Sequence, residues 1–92
     1  MEEGEIKKIR YSKKFLKHLA KLPQSIIDRA QARERIFRAT PFHPLLKTHK
    51  LSGRDKECWA FWVTYSIRIK FIFLRNKKVL FLDIGPHPKI YD

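Results

Sequence analysis

The amino-acid sequence predicts an α+β domain spanning residues 1–92, in which an N-terminal strand and a two-helix antiparallel hairpin precede a three-stranded antiparallel meander. Three observations carry this. Up to residue 38 the apolar residues recur at helical spacing, with Phe15, Leu16, Leu19 and Leu22 forming one stripe and Ile26, Ala30 and Phe37 another. From Cys58 onward they alternate with the period of strands. Between these regimes Pro41, Pro44 and Gly53 interrupt both periods. A chain of 92 residues supports one small core that buries roughly 60% of the unfolded surface.

In chain order, Ile6 to Tyr11 reads as a short strand with Ile9 and Tyr11 on one face, and residues 1–5 are expected to fray. Ser12 is placed to cap a helix over Lys13 to Leu22, whose outer surface carries Lys13, Lys14, Lys17 and Lys21, with His18 on that solvated basic side. Pro23 ends this helix. Ser25 and Asp28 have the spacing of a capping box, so a second helix is expected from there to about Arg38.

Thr40 to Arg54 reads as an ordered loop dense in His43, Lys47, His49, Lys50 and Arg54; loops on a rigid scaffold commonly carry function. Trp59, Phe61, Val63 and Tyr65 then alternate with Ala60, Trp62 and Thr64, which predicts an interior strand with aromatics on both faces. Trp59, Phe61 and Trp62 read as packing residues, and a ring left exposed near Arg68 would serve as a stacking platform for bases. In the next strand Ile67, Ile69, Phe71 and Phe73 share one face while Arg68 and Lys70 share the other. Arg75 to Lys78 forms the turn into the last strand.

That strand, Val79 to Ile84, is apolar enough to lie inside the sheet and to hold a tail carrying His87 and Tyr91. Gly85 is expected to free the backbone and Pro86 to stop the ladder. Pro86 and Pro88 flank His87 and narrow the directions in which its ring can be presented.

Composition narrows the partners. Lys and Arg number 21 against 9 acids, a formal charge of +12. A cationic domain of this size points to a polyanion: nucleic acid first, an acidic protein second, an anionic membrane surface third. Cys58 is the one cysteine and forms no internal disulfide, and no apolar run reaches the length of a transmembrane segment or signal peptide, so a soluble cytoplasmic protein is expected. The His and Cys spacings fit no zinc pattern; no metal and no cofactor is expected.

Four stretches in order resemble the RelE/ParE superfamily of bacterial toxin–antitoxin toxins. Tyr11-Ser-Lys-Lys-Phe-Leu-Lys-His-Leu19 is similar to that family's strand-to-helix opening. His49-Lys-Leu-Ser-Gly53 looks like its His/Asn-x-Leu-x-Gly loop. Trp59 to Ile69 resembles its central strand pair, and Leu82-Asp-Ile-Gly-Pro-His-Pro-Lys-Ile-Tyr91 resembles its Asp-Ile-Gly-x-His ending. The resemblance covers Ile6 to Tyr91 and implies a RelE-like microbial ribonuclease fold. It also implies a toxin that cleaves mRNA on the ribosome and is neutralised by a cognate antitoxin.

Residue by residue, it implies that Arg68 contacts the scissile phosphate, that His87 and His49 match histidines used in the YafQ branch, and that Tyr91 matches a terminal aromatic that orients the substrate. The lysine pair used by RelE has no clean counterpart, and Pro86 and Pro88 replace the usual Thr and Asp. The family also contains ParE-like inhibitors of DNA gyrase and inactive, antitoxin-binding members, which form the alternative reading.

The chemistry is consistent with these residues. Attack of a 2′-OH on the adjacent phosphorus needs a base, positive charge on the nonbridging oxygens and an acid for the leaving 5′-oxygen, and it needs no metal. Histidine titrates in the neutral range and suits either proton transfer. The planar guanidinium of Arg68 suits a phosphate, with Lys70 beside it and Asp83 or Glu57 as competing ion-pair partners. Lys13, Lys17, Lys47, Lys50 and Arg54 are candidates to grip RNA phosphates.

Overall fold

Ser12 sets where the first helix begins. Its hydroxyl oxygen accepts a hydrogen bond from the Phe15 backbone at 3.0 Å and donates to the Leu82 carbonyl at 2.8 Å, so the cap also ties the helix to a strand seventy residues away. Caps of this kind are worth about 1 kcal/mol. The computed structural model describes residues 4–53 and 57–91. Over these the chain forms β1 (Lys8–Tyr11), α1 (Lys13–Ala20), α2 (Gln24–Ala39), a 3₁₀ turn (Pro44–Leu46), β2 (His49–Lys50), β3 (Trp59–Trp62), β4 (Ile67–Phe73), β5 (Lys78–Pro86) and α3 (His87–Tyr91).

The expected meander is present as β3, β4 and β5, and it is extended on both sides. The sheet has five strands in the order β1-β5-β4-β3-β2. β1 pairs parallel with β5, Ile9 opposite Val79 and Tyr11 opposite Phe81, while every other pairing is antiparallel. β5 is therefore interior, as its apolar composition requires.

One face of this sheet carries the main core. Phe61, Ile69, Phe71, Val79, Phe81 and Ile84 pack there against Phe15 of α1 and Ala30 and Phe37 of α2. Phe37 is at the centre, fully buried, with its ring 4.8 Å from Phe61, 4.9 Å from Phe71 and 5.7 Å from Phe81. Removing a ring so placed costs about 3–5 kcal/mol. The opposite face carries a smaller cluster in which Ile90 of α3 meets Leu51 and Ala60. Adjacent residues Ala60 and Phe61 thus serve opposite faces, as strand geometry demands.

Several local expectations are corrected. Ser25 does not cap α2: the cap position is Pro23, without a side-chain hydrogen bond, and Ser25 lies inside the helix. A proline there sets the extended backbone that leads into the first turn (φ −61, ψ 151). His18 is not a solvated surface residue, because its Nδ1 lies 2.6 Å from Asp83 Oδ1. His43 caps the 3₁₀ turn, its Nδ1 accepting from the Leu45 backbone at 3.0 Å. The alternation expected to continue to Tyr65 ends at Trp62, and residues 63–66 form the turn into β4.

β5 also departs from regular alternation. Phe81 faces Phe71 and Asp83 faces Lys70, so Leu82 is an extra residue opposite the junction of Lys70 and Phe71. This bulge changes the alternation, and Ile84 rather than Asp83 joins Phe81 in the main core. Gly85 stays in the ladder opposite Arg68 without a left-handed backbone. Pro86 remains in the ladder opposite Ile67, and the tail after it is a helical turn. Pro88 falls in the first turn of that helix, where a missing N–H costs no intrahelical bond.

Candidate active site

Arg68 is the polar centre of the second face. Register places Trp62, Arg68 and Gly85 in one row across β3, β4 and β5, with His49, Ala60 and Lys70 in the row beside it. Arg68 is only 5% exposed. Its guanidinium donates from Nε at 3.2 Å and from Nη2 at 2.8 Å to the Tyr65 carbonyl, and its Cζ lies 4.4 Å from the centroid of the Trp62 ring. A fork held by a carbonyl on one side and an indole face on another has little rotational freedom left.

His87 begins α3 immediately after Pro86, and its backbone N–H donates to the Ser66 carbonyl at 2.9 Å. The helix is held down by Ile90, which is buried against Ala60 and Leu51. Arg68 and His87 consequently line the same open cavity of about 380 Å³, together with Tyr65, Ser66, Pro86 and Pro88. An imidazole and a guanidinium facing one cavity on rigid elements can hold a phosphodiester and move a proton beside it.

The other candidates distribute unevenly. His49 lies in β2 and not in a loop; it is opposite Ala60, which puts it on the Arg68 and Lys70 face, about 10 Å from Lys70 by strand spacing. Its Nδ1 donates to the Lys47 carbonyl at 2.7 Å, which in the neutral ring places the lone pair on Nε2. Lys70 is on that face, its backbone in register with Ala60 of β3 and with Asp83 of β5, whose carboxylate turns to α1. Lys50 faces Trp59, a residue of the main-core side, so it belongs to the face away from His49.

Lys47 has a left-handed backbone (φ 53) at the end of the 3₁₀ turn, and its Nζ lies 6.0 Å from the Trp62 ring. Lys13 and Lys17 are exposed on α1, which packs on the sheet face opposite α3. Arg54 and the side chain of Tyr91 lie outside the described residues.

Sequence reasoning missed two contributors. Trp62 was expected to serve packing, yet it supports the Arg68 guanidinium. Tyr65, expected in a strand, sits on the turn with 76% of its surface exposed and its ring 5.4 Å from Trp62, edge to face. The available signal was the short interval Trp62, Tyr65, Arg68, two rings and a guanidinium within seven residues. Asp83 does not pair with Arg68 in the way its proximity in the sheet suggests; its carboxylate accepts from His18, from its neighbour's Ile84 N–H at 2.8 Å, and approaches Lys14 Nζ at 3.6 Å. Among the described residues no three His, Cys, Asp or Glu side chains converge as a metal site would require, and no helix is long and apolar enough to cross a membrane.

No family model matches the sequence and no curated protein matches it. Solved structures do match. A YoeB/ParE toxin from Agrobacterium tumefaciens superposes with a TM-score of 0.75 at 15% identity, covering 88% of this chain and 99% of that one. YafQ from E. coli strain BL21(DE3) gives a TM-score of 0.73 at 21% identity, over 91% of this chain and 97% of its own. The archaeal RelE–RelB complex from Pyrococcus horikoshii OT3 gives 0.70 at 18% identity, over 86% and 92%. Each likeness runs along nearly the whole length of both chains, and the fold of this chain is that of the RelE/ParE superfamily of toxins.

Proposed function

We propose that this protein is the toxin of a toxin–antitoxin pair and acts as a metal-independent endoribonuclease on ribosome-bound mRNA in the cytoplasm. The observation that carries the reading is the meeting of Arg68 and His87 in one cavity, with the arginine fixed by Tyr65 and Trp62. The fold likeness supports it, since neighbours of this fold include YafQ in a DinJ–YafQ toxin–antitoxin complex and RelE bound to RelB.

In this mechanism the 2′-oxygen of the substrate forms a bond to phosphorus as the bond from phosphorus to the 5′-oxygen breaks, leaving a 2′,3′-cyclic phosphate. One histidine takes the 2′-OH proton and another group returns a proton to the 5′-oxygen. His87 performs one transfer, worth on the order of 10²- to 10⁴-fold. His49, on the same sheet face, performs the other. Arg68 binds the nonbridging oxygens, and Lys70 adds positive charge beside it. Tyr91 orients the nucleotide at the end of α3. Lys47, Lys50, Arg54, Lys13 and Lys17 contribute to attraction for RNA, with Lys50, Lys13 and Lys17 placed to act outside the cleavage cavity. The antitoxin would carry an acidic or amphipathic segment matched to the +12 surface.

Brief induction in cells, followed by mapping of mRNA 5′ ends alongside plasmid supercoiling, tests this. Codon-phased cuts with unchanged topology are expected. Intact mRNA with altered supercoiling would instead establish the ParE-like reading, inhibition of gyrase.

A further inference from the structure

Beyond the cavity shared by Arg68 and His87 lies a second one, of about 270 Å³, bordered by Arg29 and Arg33 of α2, by Lys47, and by Trp62 and Tyr65. Tyr65 lines both cavities. It is the most exposed large apolar side chain among the described residues, and it stands on a turn that is unusually well fixed. Val63 N–H donates to the Ile67 carbonyl at 2.8 Å, and Thr64 Oγ1 accepts from both Ser66 and Ile67 backbone N–H groups at 3.2 and 3.0 Å. The Tyr65 carbonyl is clamped by Arg68. A ring on a turn fixed by these bonds is already ordered, so little further conformational freedom is lost when a ligand stacks on it.

The flanking cations are positioned as well. Arg33 Nη1 donates to the Leu45 carbonyl at 2.9 Å, one of the five N–H donors of a guanidinium, and this bond sets the direction of the fork. Lys47 Nζ lies 6.0 Å from the centroid of the Trp62 ring. A ring with cationic cavities on two sides has the composition of a single-strand path, in which bases stack on an aromatic and phosphates meet Lys and Arg.

We infer that Tyr65 is a base-stacking platform joining the cleavage cavity to a second phosphate subsite formed by Arg29, Arg33 and Lys47, so that the substrate is single-stranded RNA extending over the turn. This deepens the ribonuclease reading and rests on it for the identity of the strand. Because the Tyr65 carbonyl also fixes Arg68, a nucleotide seated on the ring is in register with the group that holds the scissile phosphate.

Binding of uncleavable, single-stranded 2′-O-methyl RNA tests the path independently of the chemistry. An octanucleotide is expected to bind the full chain more tightly than a trinucleotide. Tyr65→Ala should weaken the octanucleotide about tenfold, while Tyr65→Phe keeps the affinity. Arg29→Ala combined with Lys47→Ala should reduce the slope of log affinity against log salt by about 1.4, the loss of two single-strand phosphate contacts. Unchanged affinity and slope in these variants would overturn the inference, as would a duplex of the same sequence binding equally well without regard to Tyr65. A chain that cuts RNA yet ignores Tyr65 loses the path alone; one that shows the Tyr65 dependence yet cuts nothing keeps the path and loses the nuclease.

Discussion

His18 and Asp83 are bonded at 2.6 Å across 65 residues of chain, joining α1 to the bulge of β5. Asp83 is 5% exposed, so its carboxylate depends on protein partners in place of water. His18→Ala leaves that oxygen with one fewer donor and is expected to destabilise the fold by about 1–3 kcal/mol, read as a lower urea midpoint. RNA cleavage per folded molecule should be unchanged, because His18 borders neither the cavity of Arg68 and His87 nor the one beyond Tyr65.

His87 and Arg68 call for different substitutions. His87 is exposed, so His87→Ala should preserve stability while lowering cleavage on the order of 10²- to 10⁴-fold and relieving growth inhibition. Arg68 is buried and bonded to the Tyr65 carbonyl, so Arg68→Ala would disturb the turn as well as the chemistry. Arg68→Lys retains the charge and loses the two-pronged bond; cleavage should fall with little change in melting temperature. Full growth inhibition by both His87→Ala and Arg68→Lys would refute the mechanism.

The Tyr11 hydroxyl donates to Glu34, whose carboxylate also accepts from Arg38 at 3.3 Å. Burial first, and then the bond to the Glu34 carboxylate, push the phenol from 10.0 up to about 12. The folded-state value is raised, so the stabilisation from this proton is complete below pH 10.0 and is lost as pH rises towards about 12. Ultraviolet titration of tyrosinate should show the Tyr11 phenol titrating late, and Glu34→Gln should move it back towards 10.0.

The β4–β5 turn has both central residues, Asn76 and Lys77, in the left-handed region (φ 61 and 59). Asparagine tolerates this, whereas the Cβ of lysine makes it strained, by about 1–2 kcal/mol for an ordinary residue. Lys77→Gly should therefore raise stability by about 1 kcal/mol, measured in the same denaturation experiment. The Lys77 carbonyl that accepts from Lys7 N–H is retained in the variant.

Much of the architecture was legible because it is written in local spacing. Ser12 as a cap, the Phe37 stripe and the alternation of Ile67 to Phe73 all depend on residues within a few positions of one another. What stayed hidden depends on distant partners. His18 reads as solvated until β5 supplies Asp83, and nothing near Lys8 says that its strand will pair parallel with Lys78. The site shows the same division: Arg68 and His87 stand out by residue type, whereas the separation of His49 from Lys50 onto opposite faces requires the register of β2 against β3. The extra residue at Leu82 has no sequence signal at all, because one inserted position in an apolar run leaves the run apolar.

The parallel pairing of Lys8–Tyr11 with Lys78–Phe81 also has a consequence for synthesis. Both β1 and α1 pack on β5, so the first elements to leave the ribosome have no template until some seventy more residues have been made. Such long-range closure is slow relative to local helix formation. A nascent chain of this topology lacks an interior strand of its sheet until β5 emerges, and the Arg68 and His87 cavity is complete only when the turn after β5 follows. Interrupting translation anywhere before β5 therefore leaves β1 and α1 without the strand they pack on.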